Sequence, residues 1–310
     1  MRVEKHQKKK RKWLRVIGII LLLVLVGGGA YVYSIYHSLN SAVETMHQPT
    51  DRDKSSKREK EVQFKEREPF SVLLMGVDER KNDKGRSDTM IVLTVNPDTE
   101  SVKMLSIPRD TLTDIVGHGT RDKINHAYAF GGVDMAMDTV EGLLDIPLDY
   151  YVKINMEGFE DIVDAVGGIT VKNDFAFNYG GYTFPEGSID LSGKKALAYT
   201  RMRKEDPRND FGRQLRQRQI IQGIIREGAS VSSLWKFDNI FDALGDNVRT
   251  NLTFNQMVDI QKHYKDASKD IEQIKIETGS GTRIDNIYYY LIPDEELMSI
   301  KETLKEHLEL

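Results

Sequence analysis

The apolar positions of this chain fall into two textures. Residues 16–36, VIGIILLLVLVGGGAYVYSIY, carry no charged side chain. As a helix they would rise about 31 Å, enough to cross a bilayer's hydrocarbon core. Tyr31, Tyr33 and Tyr36 stand at the far end, where an aromatic belt would meet the membrane surface. Residues 1–15 hold eight basic side chains against the single acid Glu4, so the positive-inside rule keeps this head in the cytoplasm and puts the remainder outside. A cleaved signal peptide competes, because the strongest run, 16–26, has that length and Gly27-Gly28-Gly29-Ala30 offers a small-residue cleavage site. Apolar and aromatic residues continue past those glycines, which favours an uncleaved anchor. Residues 37–68 are polar and crowded with charge, as in DRDKSSKREKEVQFKERE, and read as a stalk, partly helical at most.

From Phe70 onward the periodicity is that of a folded body, spanning 69–310. FSVLLMGVD, TMIVLTVN and SVKMLSIP read as strands, the last two joined as a hairpin through Pro97-Asp98-Thr99. A helix is expected over 133–144, a strand at YYVKIN, a short helix over 159–166 closed by Gly167-Gly168, and a strand at GITVKN. Residues 195–200 fit helix or strand. FGRQLRQRQIIQGIIRE is helical, with further helices over 234–247 and 255–265 and a last segment over 271–276. Strands interleaved with helices imply an α/β or α+β sandwich around a mixed sheet.

Charge changes this picture more than composition does. The net charge of −4 divides into +7 on the basic head and −11 on the rest. Beside a membrane span, the head is explained by topology and anionic lipid. It carries no helix-turn-helix pattern and no apolar core of its own, so no nucleic-acid partner is expected. The chain has no cysteine, which excludes disulfides, cysteine zinc sites and thiol nucleophiles. Neither G-x-S-x-G, H-E-x-x-H nor a Walker sequence occurs. His118, His126 and His263 are scattered without metal-ligand spacing and read as structural or surface residues.

Arginine and aspartate at strand ends are the candidate chemistry. Asp78 and Arg80 follow the first strand, Arg86 and Asp88 precede the second, and Arg109 and Asp110 follow the third. Strands that leave a sheet together bring such loops to one rim. A second cluster is TRMRKEDPRNDFGRQLRQRQ. Arg201 and Arg203, two apart, point the same way on an extended chain. Pro207 and Asn209 mark a turn, and Asp210 is placed to cap the following helix. On that helix Arg213 and Gln217 share a face with Ile220 and Ile224. Arginines at a helix N-terminus suit a phosphate. Asp78 and Asp88 beside them suit Mg²⁺ on a polyphosphate. Surface ion pairs and turn caps are the bland alternatives for the same residues.

GVDER, GRSDTMIVLTVNP, VKMLSIPRDT, DKINHAYAFGG, VDAVGGITV and LSGKKALAYTRMRKEDPRNDFGRQLRQRQ, in this order behind one N-terminal span, resemble the LytR-CpsA-Psr family. The resemblance runs over about residues 70–227, and the region after it resembles the family's teichoic acid transferase branch. It implies a central mixed sheet flanked by helices on both faces, with a hydrophobic pocket for a prenyl chain. It also implies transfer of an anionic glycopolymer such as wall teichoic acid from undecaprenyl pyrophosphate to the C6 hydroxyl of N-acetylmuramic acid in peptidoglycan, releasing undecaprenyl phosphate. The family's pyrophosphate-binding arginines match Arg109, Arg201, Arg203 and Arg213, and its glutamine matches Gln217. Its Mg²⁺ aspartates match Asp78 and Asp88, with Mn²⁺ an acceptable substitute. Arg86 and Asp210 lie in matching motifs, and Arg80 transfers less securely because its loop varies in length. Transfer would then be phosphoryl chemistry at the sugar-side phosphorus, with Asp110 or Asp210 as general base. Hydrolysis of the same pyrophosphate is the alternative enzyme, and a membrane-bound attenuator or sensor the non-enzymatic one.

Overall fold

The computed structural model describes residues 33–78, 85–230 and 244–310, apart from 35, 38, 39 and 42. The basic head, most of the apolar run, Arg80 and most of the helix expected over 234–247 lie outside the described residues. No helix among the described residues is long and apolar enough to cross a membrane.

The body starts with three strands, β1 (Phe70–Val77), β2 (Ser87–Asn96) and β3 (Ser101–Ile107), followed by a hairpin of β4 (Leu112–Ile115) and β5 (Thr120–Lys123). Then come α1 (His126–Leu144), β6 (Tyr150–Ile154), α2 (Met156–Ala165), β7 (Ile169–Asn173), β8 (Phe177–Tyr179), β9 (Tyr182–Phe184) and β10 (Gly187–Leu191). Helices α3 (Gly193–Arg201) and α4 (Asp210–Ser230) precede β11 (Val248–Thr250), α5 (Phe254–His263), β12 (Asp270–Ile274), β13 (Ser280–Ile284), β14 (Ile287–Leu291) and α6 (Asp294–His307). The expected β2–β3 hairpin is present in antiparallel register. Residues 195–200 are helical, within α3. The first helix begins seven residues before 133 because its two parts are joined at Gly132, which holds φ 69°, a left-handed value that glycine tolerates.

Six strands form the central sheet in the order β11-β6-β1-β2-β3-β12. β1 pairs with β6, and β3 with β12, in parallel; the other neighbours are antiparallel. The sheet is mixed, and alternation gives it two apolar faces. On one, Leu73, Met75, Val92 and Leu105 pack with α1 and with Ile300 and Leu304 of α6. On the other, Val72, Ile91, Leu93 and Met104 pack with Phe64, Tyr264 and, from α4 and α5, Ile221, Ile225, Met257 and Ile260. Burying each such side chain stabilises the fold by about 1.5–3 kcal/mol. A satellite cluster joins β7, β8, β9 and β10 to α2, α3 and the middle of α4.

The polar segment expected as a stalk departs from that expectation: its second half straps onto the body. Arg52 bonds Asp138 at 2.8 Å and buried Glu141 at 2.5 Å, and Ser55 also donates to Glu141. Arg58 makes two 2.8 Å bonds to Asp149. Val62 and Phe64 are buried in the second face. Charge composition hid this docking because the strap's partners are the acids of α1 and the turn after it.

Candidate active site

Strand direction brings the predicted loops together. The C-terminal ends of β1 and β3 and the N-terminal start of β2 share one edge of the sheet, so Asp78, Arg86, Asp88 and Arg109 stand on one rim. The β1–β2 pairing slips there: Gly76 faces Thr89, but Val77 faces Ser87. Asp88 is the extra residue of this bulge, a device that re-aims a side chain at the end of a pair. Its Oδ1 accepts from Arg109 at 2.9 Å.

The second cluster is held by a buried clamp. Arg216 donates to Asp206 at 2.5 Å, to the Tyr199 carbonyl at 3.0 Å and to the Met202 carbonyl, and its guanidinium lies over the rings of Phe177 and Tyr199. Asp206 also accepts from the backbone N–H and Nε of Arg208 at 2.9 and 3.0 Å. Burial would raise the Asp206 carboxyl, but the hydrogen bonds from Arg208 and Arg216 outweigh it and hold the group at about 2. Gly212 makes room for this carboxylate: a Cβ there would lie 1.9 Å from Asp206 Oδ2. The clamp fixes the turn from α3 into α4, and with it the direction of the residues on either side.

Those residues form one charge network. Arg213 lies 2.8 Å, and Arg203 3.7 Å, from Asp210 Oδ1. Asp110 lies between Lys123 at 2.7 Å and Arg109 at 3.6 Å. Burial lowers the Arg213 guanidinium below its ordinary value against the pull of Asp210, and Arg109 and Arg203 push the same way. For Arg109, burial is outweighed by Asp88, then Asp110 and Asp210, and the value rises. Both remain cationic. Arg213 Nε, Asp210 Oδ1 and Ser87 Oγ are buried without a hydrogen-bond partner, as groups awaiting a ligand would be. Gln217 Nε2 donates to Thr89 Oγ1 at 2.9 Å, pinning α4 to the rim.

Several expectations need correction. Asp210 is the first residue of α4 and accepts from Gln214 at 3.2 Å, a position inside the helix rather than its cap. Arg201 ends helix α3 and is not on extended chain with Arg203. Arg86 and Arg201 are exposed and make no ion pair to the network. Ile220 and Ile224 face the satellite cluster; the greasy continuation of the Gln217 face is Ile221 and Ile225, with half-buried Leu74, Val152, Met257 and Ile260. Lys123, Thr89 and the Asp206–Arg216 clamp were not singled out from the sequence. All of them stood inside quoted motifs, but only burial sets the clamp apart from the surrounding charges.

No cluster of three or more metal-binding His, Asp or Glu groups occurs among the described residues. Asp78 and Asp88 on adjacent strand ends nevertheless suit Mg²⁺, which takes one or two carboxylates and completes its shell with water and substrate phosphate. The orphaned donors beside them suit that phosphate.

The sequence profile of the LytR_cpsA_psr family matches residues 33–306. The chain is 57% identical over 309 residues, all of both chains, to the polyisoprenyl-teichoic acid–peptidoglycan teichoic acid transferase TagU of Bacillus subtilis (strain 168). The crystal structure of B. subtilis TagU is similar with a TM-score of 0.65 and 56% identity, covering 78% of this chain and 98% of that one. A structure of TagT bound to LI-WTA is similar with a TM-score of 0.72 and 33% identity, covering 85% and 99%.

Proposed function

The chain belongs to the LytR-CpsA-Psr family, and on that premise we propose that it is a transferase moving a teichoic acid or similar anionic glycopolymer from a polyisoprenyl pyrophosphate carrier to peptidoglycan in cell-wall biogenesis. The observation that carries this reading is the convergence of Arg109, Arg203 and Arg213 with Asp88 and Asp210, together with a TagU relative matched over its whole length.

Arg109, Arg203 and Arg213 hold the pyrophosphate oxygens, Arg213 through its orphaned Nε, and exposed Arg86 and Arg201 draw the polyanion in. Gln217 stays on Thr89 or turns to a phosphate. The half-buried band of Leu74, Val152, Ile221 and Ile225 takes the prenyl chain. Asp78 and Asp88 hold Mg²⁺ or a similar divalent cation, which when bound neutralises pyrophosphate charge. The acceptor's C6 hydroxyl oxygen forms a bond to the sugar-side phosphorus, the bridging P–O bond breaks, and undecaprenyl phosphate leaves with the electron pair. Both oxygens of Asp110 are engaged by Lys123 and Arg109, so Asp110 positions the arginine. Asp210 Oδ1 is ion-paired with Arg213 at 2.8 Å and Arg203 at 3.7 Å but accepts no hydrogen bond; once the pyrophosphate takes those arginines, it receives the hydroxyl proton. Catalysis of this kind is positioning and electrostatics, with no thiol or serine nucleophile. The apolar run 16–36 anchors the chain in the cell membrane with the body outside.

The test uses the full chain in proteoliposomes with lipid-linked polymer, uncrosslinked peptidoglycan and Mg²⁺. Covalent polymer–glycan product is expected, falling about 10²–10³-fold in Arg213→Ala. Free polymer phosphate as the sole product would make the enzyme a hydrolase, and full transfer by Arg213→Ala would remove the arginine from the site.

A further inference from the structure

The β13–β14 hairpin was not anticipated from the sequence, and it sits on the candidate site. The backbone N–H of Tyr290 donates to the Asp110 carbonyl at 2.8 Å, and Tyr289 Oη donates to Asp122 at 3.3 Å, next to the Lys123 that holds Asp110. Residues 288 and 290 share one face of β14, and on the facing strand the residues diagonal to them are glycines. A Cβ at Gly281 would lie 2.6 Å from the Tyr288 ring, and one at Gly279 would lie 2.1 Å from the Tyr290 hydroxyl. The two tyrosine rings therefore lie across bare backbone instead of standing off the sheet. Phe211, the residue after Asp210, meets the Tyr290 ring at 5.7 Å and 61°. Tyr290 is buried, while Tyr288 is 43% and Phe211 47% exposed. Two ring surfaces, one of them braced by Tyr290, are thus open to solvent beside the arginine network.

We propose that Phe211, braced by Tyr290, and Tyr288, lying over Gly281, form the shelf on which the sugar rings of the acceptor glycan strand lie while its hydroxyl reaches the site. This rests on the transfer reading above. Flat aromatic surfaces suit the C–H faces of pyranose rings, since the negative π face attracts polarised C–H groups. The charge around the shelf selects the acceptor over the donor polymer. Glu296 bonds the backbone of Glu277 and Thr278 at the foot of β13, and Asp285 stands in the turn at its far end. Those carboxylates repel a polyphosphate backbone, whereas the arginine network on the other side of Phe211 attracts one. Arg283, opposite Tyr288 on β13, is a lone cation that donates to the Asn286 carbonyl, so the shelf supplies no cluster of cations for a phosphate.

The experiment compares the full chain in detergent micelles with Phe211→Leu, Tyr288→Leu and the ring-keeping Phe211→Tyr and Tyr288→Phe, all checked for unchanged thermal unfolding. Two readouts are taken: binding of short uncrosslinked glycan strands without donor, and KM for those strands in transfer. Each leucine variant is expected to weaken glycan binding and raise acceptor KM about tenfold, with donor KM unchanged and the ring-keeping variants near wild type. Weakened binding in a protein that shows no transfer would keep the shelf and sink the transfer reading. Wild-type glycan binding and acceptor KM in both leucine variants would overturn the shelf. So would a loss confined to donor KM, which would make the shelf a seat for the donor.

Discussion

Replacing Asp206 by Asn should destabilise the protein more than any change to the exposed arginines, and in a pH-dependent way. The carboxylate is buried and accepts from Arg216 and Arg208, which hold it at about 2 against 3.8 in an unfolded chain. That difference corresponds to about 2.5 kcal/mol of stability from the charged form. The Asp206→Asn change also leaves the buried Arg216 guanidinium without its counter-ion, so the total loss at pH 7 is about 3–5 kcal/mol. The sign follows from the depressed carboxyl. Its contribution is complete above the unfolded value near 4 and is lost as pH falls through about 2. Acidification from pH 4 to pH 2 therefore removes about 1.8 kcal/mol from wild type that the Asn variant has already lost. Urea unfolding followed by far-ultraviolet circular dichroism at pH 7, 4, 3 and 2 measures both terms. A variant within about 0.5 kcal/mol of wild type at pH 7, or a gap that stays constant from pH 4 to pH 2, would refute the claim that this ion pair fixes the turn into α4.

Gly212→Ala should destabilise by about 2–4 kcal/mol in the same unfolding assay, although alanine is the better helix former by about 1 kcal/mol, because its Cβ would meet Asp206 at 1.9 Å; a more stable variant would contradict the packing. His307 is buried between Thr94 and Ser101, and burial, with Lys103 nearby, pushes it down to about 4. The unfolded chain therefore takes up this proton first, and about 3 kcal/mol of stability should vanish between pH 6.5 and pH 4. His307→Gln should flatten that part of the stability–pH curve, and an unchanged slope would show that the histidine titrates normally. A double-mutant cycle of Gln217→Ala and Thr89→Val should return a coupling of about 0.5–1.5 kcal/mol. If Gln217 turns to the pyrophosphate, that coupling should disappear on saturation with lipid-linked donor.

The parts of the site legible in the sequence are those whose chemistry depends on local order. Asp78, Asp88 and Arg109 could be placed on one rim because three apolar runs separated by short connections determine which strand ends face the same way. Arg213 and Gln217 could be placed on one helical face because four residues make about one turn. What escaped notice depends on partners distant in sequence. Arg216 reads as one more charge in an arginine-rich helix until Phe177, Tyr199 and Asp206 are seen to enclose it. The strap over 49–68 reads as a solvated charge run until Glu141 and Asp149 are found beneath it. Gly279 and Gly281 carry no signal in the sequence, yet their missing side chains let Tyr290 and Tyr288 lie flat. In each case the same residue types have two physical roles, and burial decides between them. Arg216, with a side chain 3% exposed, spends its donors on the fold, whereas Arg203, 51% exposed, keeps donors for a ligand. The arginine-rich segment is therefore one motif with two jobs, and a substitution at Arg203 should cost substrate affinity where one at Arg216 costs the fold that presents it.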